Sequence, residues 1–189
     1  MFTRHVEIDH VAAINALQKR GAIEKLLYLN SVWATPKLAQ SSEYQKKFIG
    51  YYRMGRKKAS FYSTYFSLLE EAAANTPLPT LKDILERLFH ATGARHLSFG
   101  SKLLATVDDK IPIFDRNVAH MLGVKNGSLP EAGWVEKALE RHAAIQAGLA
   151  AFTNHSRWPE TERKFDAAFP EAKKLSAGRK ADLLLWVSY

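Results

Sequence analysis

Lys102 and Asp115 are the two residues whose types and spacing could do chemistry. They stand thirteen positions apart in HLSFGSKLLATVDDKIPIFDRNV, residues 96–118. Gly100 lies two residues before the lysine, and a Pro-Ile-Phe run leads into the aspartate. An amine whose pKa is lowered by desolvation can attack an electrophilic carbon, and a carboxylate beside it can accept the proton or stabilise a developing cation. The surrounding pattern, a helix ending in LFHATG, a short glycine turn and a second helix, is a layout in which backbone N–H groups hold a phosphate. Gly100 would permit the close approach, flanked by Ser98 and Ser101, with Lys102 in the first turn of the second helix. Asp115 would cap a further helix, DRNVAHMLG, and keep one oxygen for the lysine.

A second stretch also has chemical potential. In EYQKKFIGYYRMGRKKASFYSTYFSLLEE the cations Lys46, Lys47, Arg53, Arg56, Lys57 and Lys58 interleave with Phe48, Tyr51, Tyr52, Phe61, Tyr62, Tyr65 and Phe66. Basic groups neutralise phosphates and aromatic faces stack on bases, so Arg56, Lys57 and Lys58 are candidate nucleic-acid contacts. The competing reading is that Phe61, Tyr65 and Leu68 or Leu69, at helical spacing, simply pack a core.

Other chemistries find no support. There is no cysteine, which removes disulfides, thiolate metal sites and cysteine nucleophiles. The seven histidines are scattered, with no HExxH spacing, so no metal site is expected. Glycine-rich nucleotide loops and the GxSxG nucleophile elbow are also missing, and no cofactor is expected.

The elements that must position these residues read as helices throughout. Asp9 caps HVAAINALQKR, with Val11, Ile14 and Leu17 on one face and Gly21 as the stop. AIEKLLYLNSVWA follows and ends at Pro36. Two more segments lie around Gly55, then TPLPT is a loop because its prolines forbid a continued helix. Thr80 caps LKDILERLFHATG. NGSLP at 126–130 is another loop, before a long amphipathic helix, GWVEKALERHAAIQAGLAAF, and two closing helices, RWPETERKFDAAF and GRKADLLLWVSY. No strand alternation and no repeat appear, so the expected class is all-α, a compact multi-helix domain. At 189 residues and 47% hydrophobic content the expectation is one domain, residues 1–189, with a real core.

A formal charge of +8, from 27 basic and 19 acidic residues, favours an anionic partner. No run of eighteen uncharged apolar residues indicates a membrane span, and MFTRHVEIDH lacks the apolar stretch of a signal peptide, so a cytoplasmic location is expected. The terminal ADLLLWVSY is read as a buried helix, the alternative being an exposed docking face for a partner protein.

HLSFGSK followed by PIFDRNVAHMLGV resembles the core of the helix-hairpin-helix DNA glycosylase superfamily. That family has a Leu-Pro-Gly-Val-Gly-like hairpin, a lysine two residues past its last glycine in the bifunctional enzymes, and a Pro-Val-Asp-x-x-Val segment with an essential aspartate. Gly100, Lys102, Pro112, Asp115 and Val118 fall on those positions, and Leu122-Gly123 on the Leu-Gly that often ends the next helix. Leu97 and Ser98 replace the hairpin's proline and first glycine, and the likeness covers about thirty residues. The resemblance implies an all-α fold with a helix-hairpin-helix-like element at about 81–123, double-stranded DNA as partner, and base-excision chemistry. Lys102 would be a Schiff-base nucleophile at C1′ of a flipped nucleotide, with AP lyase activity following, and Asp115 would assist departure of the base. The alternative is a non-catalytic helical module that binds nucleic acid through the same basic groove.

Overall fold

A computed structural model describes residues 6–189; the first half of MFTRHVEIDH lies outside the described residues. Among them the chain is all-α, with ten α-helices and no strand. These are α1 (His10–Arg20), α2 (Ala22–Asn30), α3 (Ser42–Tyr51), α4 (Ala59–Ala74), α5 (Leu81–Thr92), α6 (Leu97–Val107), α7 (Arg116–Met121), α8 (Trp134–Thr153), α9 (Trp158–Ala168) and α10 (Ala177–Val187). No helix is long and apolar enough to cross a membrane.

The chain groups into two compact units, both discontinuous in sequence. One, the terminal unit, comprises the chain up to Ile23, Asp109–Ser128 and Glu140–Tyr189; the other, the central unit, comprises Glu24–Asp108 and Leu129–Leu139. Two of the four boundaries fall inside α2 and α8, where composition carries no mark of the division, and the other two fall in the connections before and after α7.

In the central unit α4 packs on α5 and α6. Its core is an aromatic cluster in which Phe48 meets Tyr52, Tyr65 and Phe66 with ring centroids 4.7, 5.6 and 5.5 Å away. Phe48, Phe61, Tyr65 and Phe66 are buried, so these rings of the basic-aromatic stretch pack on one another, as their helical spacing allows. Two buried hydroxyls are satisfied by carbonyls. Tyr44 Oη donates to Leu29 O at 2.8 Å and Tyr65 Oη to Phe99 O at 3.0 Å, and burial pushes both phenols well above their ordinary pKa, so they remain donors. Helix α5 begins with a capping box: Asp83 N donates to Thr80 Oγ1 at 3.2 Å and Thr80 N to Asp83 Oδ2 at 2.9 Å. It ends at Gly93, whose φ of 68° is the left-handed conformation glycine adopts at little cost.

In the terminal unit α10 packs against α1, α7 and α9. Asp9 Oδ1 caps α1 by accepting from Val11 N and Ala12 N, both at 3.0 Å, and Gly21 closes it with φ of 54°. Leu183, Leu184 and Leu185 are buried, which makes ADLLLWVSY a core helix and removes the docking-face alternative. Two buried cations of α10 are matched by carboxylates. Arg179 lies 3.1 Å from Asp182 Oδ2, and Lys180 Nζ lies 2.9 Å from Glu162 and 2.7 Å from Asp166. Burial alone would lower the Lys180 pKa, but the hydrogen bonds and charges of Asp166 and Glu162 outweigh it and hold the amine above its ordinary value. The NGSLP loop is held where the buried Arg141 donates to the carbonyls of Gly127 and Ser128.

Candidate functional site

Lys102 belongs to the central unit and Asp115 to the terminal unit. Around the lysine the sequence folds as helix, short connection, helix, since α5 ends at Gly93 and α6 begins at Leu97. The position of the turn differs from the sequence reading. The left-handed glycine is Gly93, whereas Gly100 lies in the first turn of α6, its N–H donating to His96 O at 2.8 Å. A Cβ built on Gly100 would stand 2.9 Å from Leu85 Cδ2 and 3.5 Å from both Ile84 Cγ2 and Leu81 Cδ1. Its smallness therefore serves the close approach of α6 to α5. Ser98 is half-buried, and its carbonyl accepts from Ser101 Oγ at 3.1 Å, so the Ser101 hydroxyl closes a turn of its own helix.

Lys102 is consequently the sixth residue of α6, one turn deeper than the sequence reading set it. It is buried, and its Nζ lies 5.6 Å from the centroid of the Tyr52 ring and 5.8 Å from that of Phe99. A second ammonium reaches the same ring: Lys57 Nζ is 5.1 Å from Phe99 and 5.9 Å from Phe61. Both distances are within the range of cation–π attraction. The His96 ring stands 4.9 Å from Phe61 and 5.6 Å from Phe99. Burial first, and the charge of Lys57 second, push its pKa down to about 4, so the imidazole is neutral at pH 7. The central unit thus brings together two amines, a neutral imidazole and three rings, those of Tyr52, Phe61 and Phe99.

The loop leading into α4 sets Lys57 in place. Tyr52 N donates to Phe48 O at 3.0 Å and Met54 N to Ile49 O at 2.9 Å, which closes α3 with Arg53 in the left-handed region at φ of 53°. Arg56 is left-handed too, at φ of 64°. Tyr62 Oη donates to Met54 O at 2.7 Å and accepts from Lys57 N at 3.3 Å, pinning both sides of the turn. Arg56 and Lys58 are exposed on either side of the half-buried Lys57.

Asp115 is the N-cap of α7, as its place at the head of DRNVAHMLG suggests: its Oδ1 accepts from Asn117 N at 2.9 Å. Asn117 Nδ2 in turn donates to Trp186 O at 3.3 Å, fixing the start of α7 on α10. The neighbouring Pro112 carbonyl is 2.8 Å from His142 Nε2; burial lowers the His142 pKa, against the smaller opposing effect of that hydrogen bond. No group of three or more His, Asp or Glu side chains among the described residues could hold a metal ion.

Sequence reasoning missed two members of the lysine cluster, His96 and Phe99. Phe99 precedes Lys102 by three positions on α6, the helical spacing at which side chains meet, and His96 precedes Phe99 by the same interval. Comparison with protein-family models, curated proteins and solved structures gives no match to this chain.

Proposed function

We propose that the protein binds duplex DNA and acts on it as a base-excision glycosylase with Schiff-base lyase chemistry at Lys102. The observation that carries this reading is the buried amine of Lys102, held against the rings of Tyr52 and Phe99 on the helix that follows a short interhelical connection. An amine attacks carbon only in its neutral form, so this chemistry requires the Lys102 ammonium to give up its proton before attack. Attack of the neutral amine on C1′ of a nucleotide would break the bond to the base, which leaves with its electron pair and takes up a proton. Opening of the sugar at C1′–O4′, with a proton passing from the amine to O4′, would then give the imine; Asp115 would stabilise the charge that develops as the base departs. Arg56 and Lys58, exposed on either side of Lys57, would engage phosphates beside it.

Borohydride tests this directly, because it reduces an imine to a permanent bond between protein and DNA. Wild-type protein incubated with duplexes bearing damaged bases or abasic sites should give a trapped adduct, and Lys102→Met, close in length and without the amine, should give none while still binding DNA. Asp115→Asn should slow base release yet still trap on a pre-formed abasic site, where the base has already left. Absence of any wild-type adduct across the panel ends the lyase reading. The second reading, a non-catalytic binding module, is favoured by the Asn117 N–H that Asp115 already caps and by Gly100 being spent on helix packing. DNA binding without adduct or released base would establish it.

A further inference from the structure

Two helix starts meet in the central unit with their N–H groups open. Neither α4 nor α6 has a side-chain cap or an acid in its first turn. In α4 the helix-starting bond is Phe61 N to Lys58 O at 3.0 Å, and in α6 it is Gly100 N to His96 O at 2.8 Å. The N–H groups of Ala59 and Ser60, and of Leu97, Ser98 and Phe99, therefore lie ahead of any intrahelical partner. Phe61 is the third residue of α4 and Phe99 the third of α6, and their ring centroids are 5.5 Å apart. Helical side chains lean toward the N-terminus, so this contact sets the two open ends beside each other.

His96 faces both ends. It directly precedes α6, and its ring packs on the Phe61 and Phe99 rings at 4.9 and 5.6 Å. Only 9% of the residue is exposed, yet its ring nitrogens have no hydrogen-bond partner among the described residues. A buried polar group left so is uncommon, and a ligand oxygen at the helix ends would satisfy it. Lys57 supplies a full charge: its Nζ lies over the same two rings, it forms no ion pair among the described residues, and its charge is the one that acts on the His96 ring. Lys57, Ser98 and Phe99 are half-buried and Ser60 is exposed, so the place is open to solvent on one side.

Charge selects the ligand. A helix N-terminus is equivalent to about half a positive charge, so two of them and one ammonium sum to about two. A tetrahedral dianion matches that sum and offers several acceptor oxygens to donors arriving from two helices, an imidazole and an ammonium. A phosphate diester, the backbone unit of nucleic acid, carries one charge and has two of its oxygens in ester bonds. We propose that the joined starts of α4 and α6, with Lys57 and His96, bind a phosphate monoester as its dianion. The proposal needs no chemistry at Lys102, and it is separate from the backbone phosphates assigned to Arg56 and Lys58.

Methyl phosphate at about pH 7.5, above its second pKa of about 6, is the probe, and dimethyl phosphate is the singly charged control. Titration of the full chain, followed by NMR, should give saturable shifts at the Ser60 and Ser98 amides and the His96 ring, with methyl phosphate about tenfold or more the tighter. The His96 pKa should rise from about 4 in the complex, because a bound dianion favours the protonated ring. A short single strand with a 5′-phosphate, compared with the same strand ending in a 5′-hydroxyl, identifies the source. Saturation by the phosphorylated strand as well as by methyl phosphate admits a nucleic-acid end, and its absence restricts the site to small phosphate esters. Lys57→Met should weaken methyl phosphate about tenfold. Ser60→Asp places a carboxylate on the open end of α4 and should abolish saturation while the unfolding temperature is kept or raised. No saturation by methyl phosphate, equal affinity for dimethyl phosphate or the 5′-hydroxyl strand, or undiminished binding by folded Ser60→Asp would each overturn the proposal. Should Ser60→Asp not fold, undiminished binding by Lys57→Met does the same.

Discussion

At the scale of single residues, His96 has the most perturbed environment at the candidate site. Its folded pKa of about 4 lies below the 6.5 of an unperturbed histidine, so the unfolded chain binds the extra proton first as pH falls. The contribution to stability is fully present above pH 6.5 and is lost as pH falls from there through 4. At pH 4.5 the loss amounts to about 2–3 kcal/mol. His142 is depressed by burial as well and adds to the decline in the same direction. The carboxylates with lowered pKa, Glu43, Glu71, Asp83 and Glu160, have little effect in this window because they are solvent-facing and titrate lower. His96→Phe, which keeps a ring against Phe61 and Phe99, should therefore lose less stability than wild type between pH 7 and 4.5 in urea denaturation. Parallel declines in the two proteins would mean that the surroundings do not hold His96 neutral.

At the scale of elements, what the sequence made legible was what is enforced locally. Asp9, Thr80 and Asp115 cap helices through bonds to backbone two or three residues away, so each is readable from a short window. Gly100 was not readable in that way. A glycine near a helix start serves either a left-handed turn or a close helix contact, and only the position of Leu85, fifteen residues earlier in the chain, decides between them. The same holds for Lys102, whose aromatic partner Tyr52 comes from α3's end, and for the division into two units, which cuts through helices. The two roles of glycine predict opposite outcomes on substitution. Gly50 in α3 has nothing within 4 Å of a built Cβ, so Gly50→Ala should stabilise by about 0.5–1 kcal/mol through helix propensity. Gly100→Ala gains the same propensity but drives a methyl into the fully buried Leu85, where overpacking costs about 1–3 kcal/mol, and the net change should be destabilising, with Gly100→Val worse. If Gly100→Ala instead keeps its stability and loses only DNA binding, the glycine faces a phosphate rather than Leu85.

At the scale of the whole molecule, the formal charge of +8 is a statement about partners only where the cations are available to them. Many are not. Arg179, Lys180 and Arg141 are buried against carboxylates or carbonyls, and Lys47, Arg87 and Lys164 sit in surface pairs with Glu43, Glu71 and Glu160. Arg56 and Lys58 differ, since they are exposed and flank an ammonium already committed to ring faces. A cation that meets a DNA phosphate releases one condensed counterion, and the logarithm of affinity falls with that of salt by about 0.9 per contact on duplex DNA. Arg56→Asn together with Lys58→Gln should thus flatten the salt dependence of duplex binding by about two units. Asparagine is chosen because it tolerates the left-handed backbone at position 56, so the turn that positions Lys57 is kept. Lys57→Met should leave the slope nearly unchanged if its ammonium stays on the rings of Phe61 and Phe99. A double variant with the wild-type slope would remove this loop from the DNA surface, and the proposed function would then need its phosphate contacts from elsewhere on the chain.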